Sequence, residues 1–401
     1  MIKKIYLLLL VIFSMQSLFC KSPYYEVQVS KVHISTDTLF LQARSAIGGN
    51  QLFSTAWITM SLYGKGTHAF TDFYQMISND AGKTWNNPDP VPTLSMHPVG
   101  ESLLRSFGDV TPQWHEKSKT LLCTGKSFFF ARDAKVQVDI NDMTEIAYAV
   151  YHPSSGVWSG QQTIILPEKL TNGDAFYCVN AGCTQRWDLP NGDVLLPVRY
   201  VKKGTPYMAS TVIKCSFDGD SLRYIAHGTT HFVEEGRGIC EPSITFYKRQ
   251  YFLTLRSDKK GYVTKSNDGL NFQKEQEWLY DDGSPLNTYN TQQHWITNRY
   301  GLFLVYTRKG ETNNHIFRHR APLYMAQVDP KALRIIRSTE KVIMEIPENN
   351  GDYGNFGVAK ISENEFWVTV AVMPPKLDDG NRISIIQTAI IKFGKRTGKN
   401  K

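Results

Sequence analysis

The octapeptide Ser78–Trp85, SNDAGKTW, limits what this chain can fold into more than any other segment. It has the form S-x-D-x-G-x-T-W, in which the Ser and Asp side chains can bond nearby backbone N–H groups and Gly tolerates a positive φ. Such residues suit a tight turn between two antiparallel strands, with the Trp packed beneath it. Weaker copies of the pattern begin at Ser266, Ser216 and Ser154. A turn motif that recurs along one chain predicts a fold built from repeated units.

A second repeated pattern is a turn followed by alternating apolar residues, which is typical of a half-buried strand. At intervals of roughly 50 to 75 residues, six copies begin at Gly49, Lys117, Asn191, Lys248, Arg299 and Glu363. We therefore expect an all-β fold, a six-bladed β-propeller with four antiparallel strands per blade, in a single domain over residues 21–401. Pairing of Tyr25–Leu41 with Ile383–Phe393 would close the ring and remove its exposed edges. A seventh blade without a turn motif is the alternative.

The two ends of the chain indicate where the protein acts. Lys3 and Lys4 precede the apolar run Ile5–Phe13, so residues 1–20 resemble a secretory signal peptide. We expect an exported protein, periplasmic or extracellular, without a transmembrane segment, because no later run reaches the roughly 20 apolar residues of a bilayer span. Cleavage before Cys20 would instead leave a lipid anchor at that residue in a bacterial membrane. Residues 394–401 form a basic tail that we expect to be disordered.

Charge and cysteine content narrow the choice of partners. The formal net charge of +8 suits an anionic partner, but the basic residues are dispersed, which argues against nucleic acid. An acidic glycan or polysaccharide is more consistent with export, and we expect a monomer. The cysteines that follow Cys20 include no C-x-x-C pair and no Cys/His cluster, so we expect neither a metal site nor another cofactor. Buried thiols are the favoured state, with a Cys178–Cys183 disulfide as the alternative.

The segment from Glu241 to Ser266 carries the clearest family resemblance. Glu241-Pro242 opens one predicted strand, Arg256 ends the next, and the repeated turn motif follows at Ser266. In residue types and order this segment is similar to one blade of the sialidase superfamily, in which the turn motif is called an Asp box. The resemblance implies a glycoside hydrolase that removes an acidic terminal sugar from a glycan. It also implies that Glu241 polarises a tyrosine nucleophile and that Arg256 is one of three arginines that bind the substrate carboxylate.

The same resemblance implies the other members of such a site. Arg44 and Arg320 stand where the remaining arginines are expected, and Arg318 competes with Arg320. Tyr353 stands at the position of the nucleophile and Asp72 at that of the acid and base. A planar guanidinium binds a carboxylate through two hydrogen bonds, whereas tyrosine, with a pKa near 10, needs a base to attack. The implied reaction is a retaining hydrolysis.

A polar segment outside the sialidase pattern, Asn287–Trp295, supplies further candidates. Its amides, among them Asn290 and Gln293, suit hydroxyl-rich sugars, and His294 can act as a base or an acid near neutrality. Two alternatives to hydrolysis follow. One is a polysaccharide lyase in which His294 or Tyr353 abstracts the proton next to a uronate carboxylate. The other is a propeller that binds glycans without turnover.

Overall fold

Six antiparallel sheets stand as blades around a single axis. The computed structural model describes residues 24–49, 54–64, 68–134, 143–376 and 383–394. Consecutive chain segments build each of blades 1 to 5, whereas blade 6 combines both ends of the described chain. The predicted all-β, six-bladed propeller is therefore confirmed. The signal peptide, Cys20 and residues 395–401 lie outside the described residues.

The strands run from the axis outwards in each blade. Blade 1 contains Phe40–Gly49, Ser54–Tyr63, Phe70–Ser78 and Asp89–Pro90. Blade 2 contains Leu103–His115, Thr120–Ala131 and Ile146–His152, with the short strands His97–Val99, Val157–Trp158 and Gln162–Thr163 at its edges. Blade 3 contains Tyr177–Asn180, Trp187–Asp188, Val194–Val201, Met208–Phe217, Leu222–His227 and His231–Phe232. Blade 4 contains Cys240–Tyr247, Gln250–Arg256, Gly261–Ser266 and Gln276–Glu277.

The last two blades complete the ring. Blade 5 contains His294–Asn298, Gly301–Tyr306, Leu323–Asp329, Arg334–Ile335 and Lys341–Met344. Blade 6 contains Gly357–Lys360, Glu365–Ala371, Ser384–Gly394 and, outermost, Tyr24–Ser35. The helical segments of the described chain are short 3-10 turns at Pro92–Leu94, Phe317–His319 and Arg337–Thr339. None of these described helices is long and apolar enough to cross a bilayer.

Pairing between the two ends closes the ring, as predicted. The antiparallel register runs from Tyr24 opposite Gly394 to Ser35 opposite Ser384. This pairing gives the first strand of the chain a partner inside blade 6. The last strand extends to Gly394, the residue at which the tail was expected to begin.

The apolar core lies between neighbouring blades. One cluster, which includes Phe303 and Phe366, fills the space between blades 5 and 6, and another, which includes Leu195 and Leu253, lies between blades 3 and 4. Similar clusters occupy the other blade boundaries. Alternate side chains of each strand point towards one neighbouring blade or the other. The axis is therefore lined by the edges and ends of the innermost strands. Polar side chains therefore converge there.

The turns at Ser78 and Ser266 have the local hydrogen bonds predicted for an Asp box. The Asp80 carboxylate accepts hydrogen bonds from the backbone N–H groups of Lys83 and Thr84 at 3.0 and 2.9 Å, and Ser78 Oγ accepts one from Gly82 at 2.8 Å. Asp268 accepts the matching bonds in blade 4. These turns follow the third strand of each blade, whereas Glu241 begins the first strand and Arg256 ends the second. The Asp boxes consequently lie on the face opposite Glu241.

The cysteines of the described chain are buried thiols. Cys123, Cys178, Cys183, Cys215 and Cys240 form no disulfide, so the alternative of a Cys178–Cys183 bridge is not realised. Among the described residues, no group of three or more His, Cys, Asp or Glu side chains could hold a metal ion.

The turn of the first Asp box predicts how much a methyl group at Gly82 would cost. Gly82 has φ +84°, and a Cβ atom there would lie 2.1 Å from Trp367 Cη2. Gly283 has the same φ, and a Cβ atom there would meet nothing within 4 Å. We expect Gly283→Ala to lower the free energy of unfolding by about 1–2 kcal/mol, the cost of a left-handed alanine. Gly82→Ala should lower it by about a further 1–3 kcal/mol through the clash with Trp367.

Denaturant unfolding of the two variants and the parent protein measures the cost of a left-handed alanine and the added cost of the clash with Trp367. Equal losses would show that Trp367 moves aside at no cost, contrary to this prediction.

Candidate functional site

One residue in each blade has a left-handed backbone at the axial end opposite the Asp boxes. These residues are Gln42, Asp109, Cys183, Glu241, Asn290 and Asn355, with φ values of 60, 54, 57, 44, 42 and 68°. Each stands at or just before the innermost strand, and in blades 1, 2 and 4 it coincides with a β-bulge. Left-handed residues other than glycine are strained and cluster at functional sites. We call this set the axial ring.

Direct contacts connect members of the axial ring across blade boundaries. Gln42 Nε2 donates to Asp109 Oδ1 at 2.5 Å, and the Asp109 N–H donates to Gln42 Oε1 at 2.8 Å. The Cys183 N–H donates to the Asp109 carbonyl at 2.9 Å, and its thiol lies 3.6 Å from Asn355 Oδ1. The ring residues therefore hold each other in place, and Glu241 and Asp109 are the two members that carry carboxylates.

Glu241 and Arg256 form the central ion pair of the site. Arg256 Nη1 donates to Glu241 Oε2, and Arg256 Nη2 donates to Asn290 Oδ1. Burial opposes ionisation of Glu241, but the adjacent Arg256 charge outweighs it and lowers the pKa of that carboxyl. The pKa of Arg256 is raised, because the Glu241 charge outweighs the effect of burial. Three predicted residues, Glu241, Arg256 and Asn290, are thus brought together and the carboxylate is ionised at neutral pH.

Arg320 is a buried cation that forms no direct salt bridge among the described residues, although the charges of the buried Asp352 and of Glu241 act on it in part. Its side chain lies 6% exposed, Nη2 donates to the Asn290 carbonyl at 3.0 Å, and Nε has no hydrogen bond. Burial, followed by repulsion from Arg256, lowers the pKa of Arg320 to about 10. A buried charge that lacks a direct ion pair costs free energy. The position of Arg320 next to Arg256 therefore suits an anionic ligand that would pair with it directly.

Arg318 lies at the edge of the same cluster. It is half-buried, with its guanidinium carbon 4.9 Å from the centre of the Phe317 ring. Burial, then the charges of Arg256 and Arg237, lower its pKa. Arg237 forms a paired contact with Asp258 at 2.8 and 3.0 Å and also reaches Asn290 at 3.1 Å. Arg318 and Arg320 therefore both lie in the cluster around Arg256.

Arg44 lies at the axis, and each of its three guanidinium nitrogens donates to a protein group. Its side chain is buried, donating to the Val110 carbonyl at 2.8 Å, the Phe356 carbonyl at 3.3 Å and the Cys183 sulfur at 3.0 Å. These contacts connect four blades beneath the axial ring. The role expected for Arg44 in gripping a substrate carboxylate is not supported by this geometry, because its donors already have partners.

Tyr353 lies apart from Glu241. Its hydroxyl donates to the Glu345 carbonyl at 2.6 Å and lies 3.4 Å from Gln387 Oε1, within the apolar cluster between blades 5 and 6. Burial raises the pKa of this phenol. The pair of Tyr353 and Glu241 expected from the sialidase resemblance is therefore not formed, because the ring points into a blade boundary.

His294 and Gln293 also lie beneath the axial ring. Both side chains are buried. His294 Nδ1 lies 2.9 Å from Ser243 Oγ, and burial, then the Arg44 charge, lower the pKa of His294 to about 3. Gln293 Oε1 accepts a hydrogen bond from Thr254 inside the boundary of blades 4 and 5. Neither side chain is brought to the arginine cluster, so the structure does not support their predicted contacts with a sugar.

Asp72 lies on the third strand of blade 1. Its carboxylate accepts a hydrogen bond from the Thr71 hydroxyl at 3.3 Å.

Sequence reasoning missed Asp109, which lies on the axial ring itself. Its correspondence with Glu241 is between bulges, because Asp109-Val110 occupies the bulge of its strand as Glu241-Pro242 does in blade 4. That correspondence required knowledge of where each bulge falls.

Comparisons with known proteins bear on the fold. No family model matches the chain, and no curated protein matches it. Among solved structures, a protein of unknown function from Dyadobacter fermentans superposes with a TM-score of 0.63 at 15% identity, over 91% of this chain and 99% of that one. Trypanosoma rangeli sialidase in complex with the inhibitor DANA gives a TM-score of 0.57 at 13% identity, over 88% of this chain.

NanB sialidase from Streptococcus pneumoniae gives a TM-score of 0.58 at 12% identity, over 90% of this chain. The present chain spans 55% of the Trypanosoma protein and 70% of NanB. Likeness at such low identity concerns the fold. The chain therefore has the six-bladed propeller fold of the sialidases, as the sequence resemblance predicted.

The Glu241–Arg256 pair predicts a pH-dependent effect of Arg256→Met. In the parent protein the lowered pKa of Glu241 contributes stability that is present above about pH 4.3 and is lost as the pH falls through the folded pKa. In the variant the main opposing charge is gone, so burial raises the Glu241 pKa and its ionisation becomes a cost as the pH rises. The loss in free energy of unfolding should reach about 3 kcal/mol at pH 7 and be smaller at pH 4.

Arg237→Met is the matched control, because the side chain of Arg237 is 47% exposed. Its loss should stay below about 1 kcal/mol at both pH values. Denaturant titrations at the two pH values measure these differences, and a pH-independent loss for Arg256→Met would contradict the assignment.

Proposed function

We propose that this protein is an exported glycoside hydrolase that removes an acidic terminal sugar from a glycan or polysaccharide. The observation that carries the proposal is Arg320, a buried guanidinium beside Arg256 that has no direct salt bridge, has an Nε without a hydrogen bond, and is only partly compensated by Asp352 and Glu241. A sugar carboxylate would neutralise this charge and accept paired hydrogen bonds from Arg318 and Arg320. Burial of such an ion pair is favourable only when its hydrogen bonds are complete, which makes the site selective for a planar anion.

The two carboxylates of the axial ring supply the chemistry. The Cys183 thiol and the Arg199 guanidinium of blade 3 each lie within electrostatic range of both Asp109 and Glu241. We assign ionised Glu241 as the base that takes a proton from the attacking water, and Asp109 as the acid that protonates the leaving glycosidic oxygen. Because Tyr353 is held in the core, no covalent intermediate forms on it, and a single displacement by water inverts the anomeric centre.

Arg320→Met tests carboxylate recognition. The variant should release at least about tenfold less sugar from sialyl- and uronate-terminated oligosaccharides at limiting substrate, because a cation that would bind the sugar carboxylate is gone. Its free energy of unfolding should change by less than about 2 kcal/mol, since methionine removes a buried charge but also removes the cation near the buried Asp352. The methyl ester of the same substrate is the matched control, because it lacks the anion and should be a poor substrate of the parent protein. Equal rates on acid and ester would refute carboxylate recognition.

Glu241→Gln and Tyr353→Phe test the catalytic assignment. Glu241→Gln should lower kcat by about 10²–10⁴-fold through loss of the base. Tyr353→Phe should keep kcat within about threefold, because its hydroxyl bonds only core groups. Proton NMR of the first product should show the inverted anomer. A retained anomer together with an inactive Tyr353→Phe variant would restore the tyrosine nucleophile implied by the family resemblance.

A propeller that binds acidic glycans without turnover is the second candidate. The observations that favour it are that Tyr353 lies in the core and that the donors of Arg44 have protein partners. Tight binding of an acidic oligosaccharide without product would select this function. Lyase chemistry has less support, because His294 and Tyr353, the two bases considered for it, are both buried. An unsaturated product absorbing in the ultraviolet would nevertheless reveal it.

Export is part of the proposal and rests on residues 1–20. Lys3, Lys4 and the apolar run Ile5–Phe13 support a secretory signal. Cys20 would carry a lipid if the lipoprotein peptidase cleaved before it, and the protein would otherwise be soluble in the periplasm or outside the cell.

A further inference from the structure

A large cavity lies at the opposite end of the axis from the arginine cluster. It has a volume of about 760 Å³ and receives residues from blades 1, 2, 3, 4 and 6, among them Gly48, Trp114, Gln185, Trp187 and Thr245. The side chain of Gln185 forms its inner wall, since Oε1 accepts from the Trp295 N–H at 2.8 Å and Nε2 donates to the Trp295 carbonyl at 3.0 Å. This contact joins blade 3 to blade 5 past the intervening blade 4.

Two half-buried tryptophans give the cavity aromatic walls. Trp114 packs against Gly48, where an added Cβ atom would lie 2.2 Å from its ring, and stacks on Trp57 with ring centres 6.0 Å apart. Trp187 packs on Phe246 with ring centres 5.9 Å apart. These contacts fix the rings rigidly while leaving part of each at the cavity surface. Rigid aromatic rings of this kind bind the apolar faces of sugars at low entropic cost.

A second cavity of about 640 Å³ adjoins the first and shares Trp187 and Glu116 with it. Its lining adds Phe246 and Tyr251. Trp187 therefore stands between two spaces, as a ring on which a chain of several sugars could rest. Each volume falls in the range of about 300–1,000 Å³ that is usual for ligand sites.

Most charges around these cavities are paired within the protein, and Lys117, which lines the second cavity, donates to the Asn191 carbonyl. Arg186 bonds Asp188 at 2.9 Å, Lys119 bonds Glu116, and Lys360 bonds Glu363. The arginine cluster differs, because burial and repulsion from Arg256 outweigh the charges of Asp352 and Glu241 at Arg320, which forms no direct salt bridge there. A cavity whose charges are mostly paired favours a neutral ligand over an anionic one.

Polar groups at the wall remain available to a ligand. Gln113 Nε2 is bound to Asp188 at 3.2 Å, whereas no described hydrogen bond uses its Oε1 or the Nε1 of Trp187. One acceptor and one donor beside an aromatic ring match the hydroxyl groups of a sugar. We propose that this face holds a second, non-catalytic site that binds a neutral polysaccharide segment across Trp187, and so keeps the protein on its polymer.

Calorimetric titration of the whole protein with cellohexaose, xylohexaose and mannohexaose tests the site. At least one should bind, and Trp187→Ala should weaken that binding by about tenfold. Gln113→Ala, a smaller change at the wall, should weaken the same binding. It tests the site independently if the Trp187→Ala variant does not fold. Tyr289→Ala, which removes a 37% exposed aromatic ring on the opposite face, is the matched control and should leave binding unchanged.

Arg320→Met separates this site from the proposed active site. It should leave binding of the neutral hexasaccharide unchanged even if it abolishes release of an acidic sugar. Absence of binding for all three hexasaccharides at millimolar concentration would overturn the inference. Equal weakening by Arg320→Met and Trp187→Ala would overturn it as well, because one site would then explain both.

Discussion

Sideways packing of the blades is the constraint on which the rest of the structure depends. Alternate residues of each strand are apolar and fill the spaces between neighbouring sheets, as with Phe303 and Phe366. The apolar side chains are therefore buried at the six blade boundaries, and strand edges and loop ends line the axis. Polar and charged groups can gather there because the fold does not need an apolar centre. Pairing of the first and last strands makes this arrangement complete.

Strain and charge concentrate at one end of that axis. Six left-handed residues other than glycine occupy corresponding positions, and two of them, Asp109 and Glu241, carry carboxylates. Arg320 lies beside Arg256 without a direct salt bridge, and burial and this repulsion outweigh the charges of Asp352 and Glu241, so an anionic ligand would relieve an unfavourable arrangement. Sites that bind or transform ligands commonly retain such unfavourable features, because relaxing them would remove the function.

The network beneath the ring separates the two faces of the propeller. Arg44 reaches Val110, Cys183 and Phe356, and Gln185 crosses to Trp295. These contacts occupy the middle of the axis. One face holds the arginine cluster, in which Arg320 has no direct salt bridge, whereas the other holds tryptophan rings among mostly paired charges.

The sequence alone determined the all-β propeller, its six repeats, its closure and the place of Glu241 and Arg256 in one blade, because turn chemistry and strand alternation are local and a blade motif preserves residue order. Their direct ion pair was decided by the tertiary structure. Only the tertiary structure decided which way side chains point once strands meet. It directed Tyr353 into a blade boundary, used Arg44 as a brace, and brought Asp109 to the axis at a bulge. A bulge shifts the strand register by one residue and so reverses the side on which the following side chains emerge. That shift arises from pairing between distant segments, which a single strand's pattern does not encode.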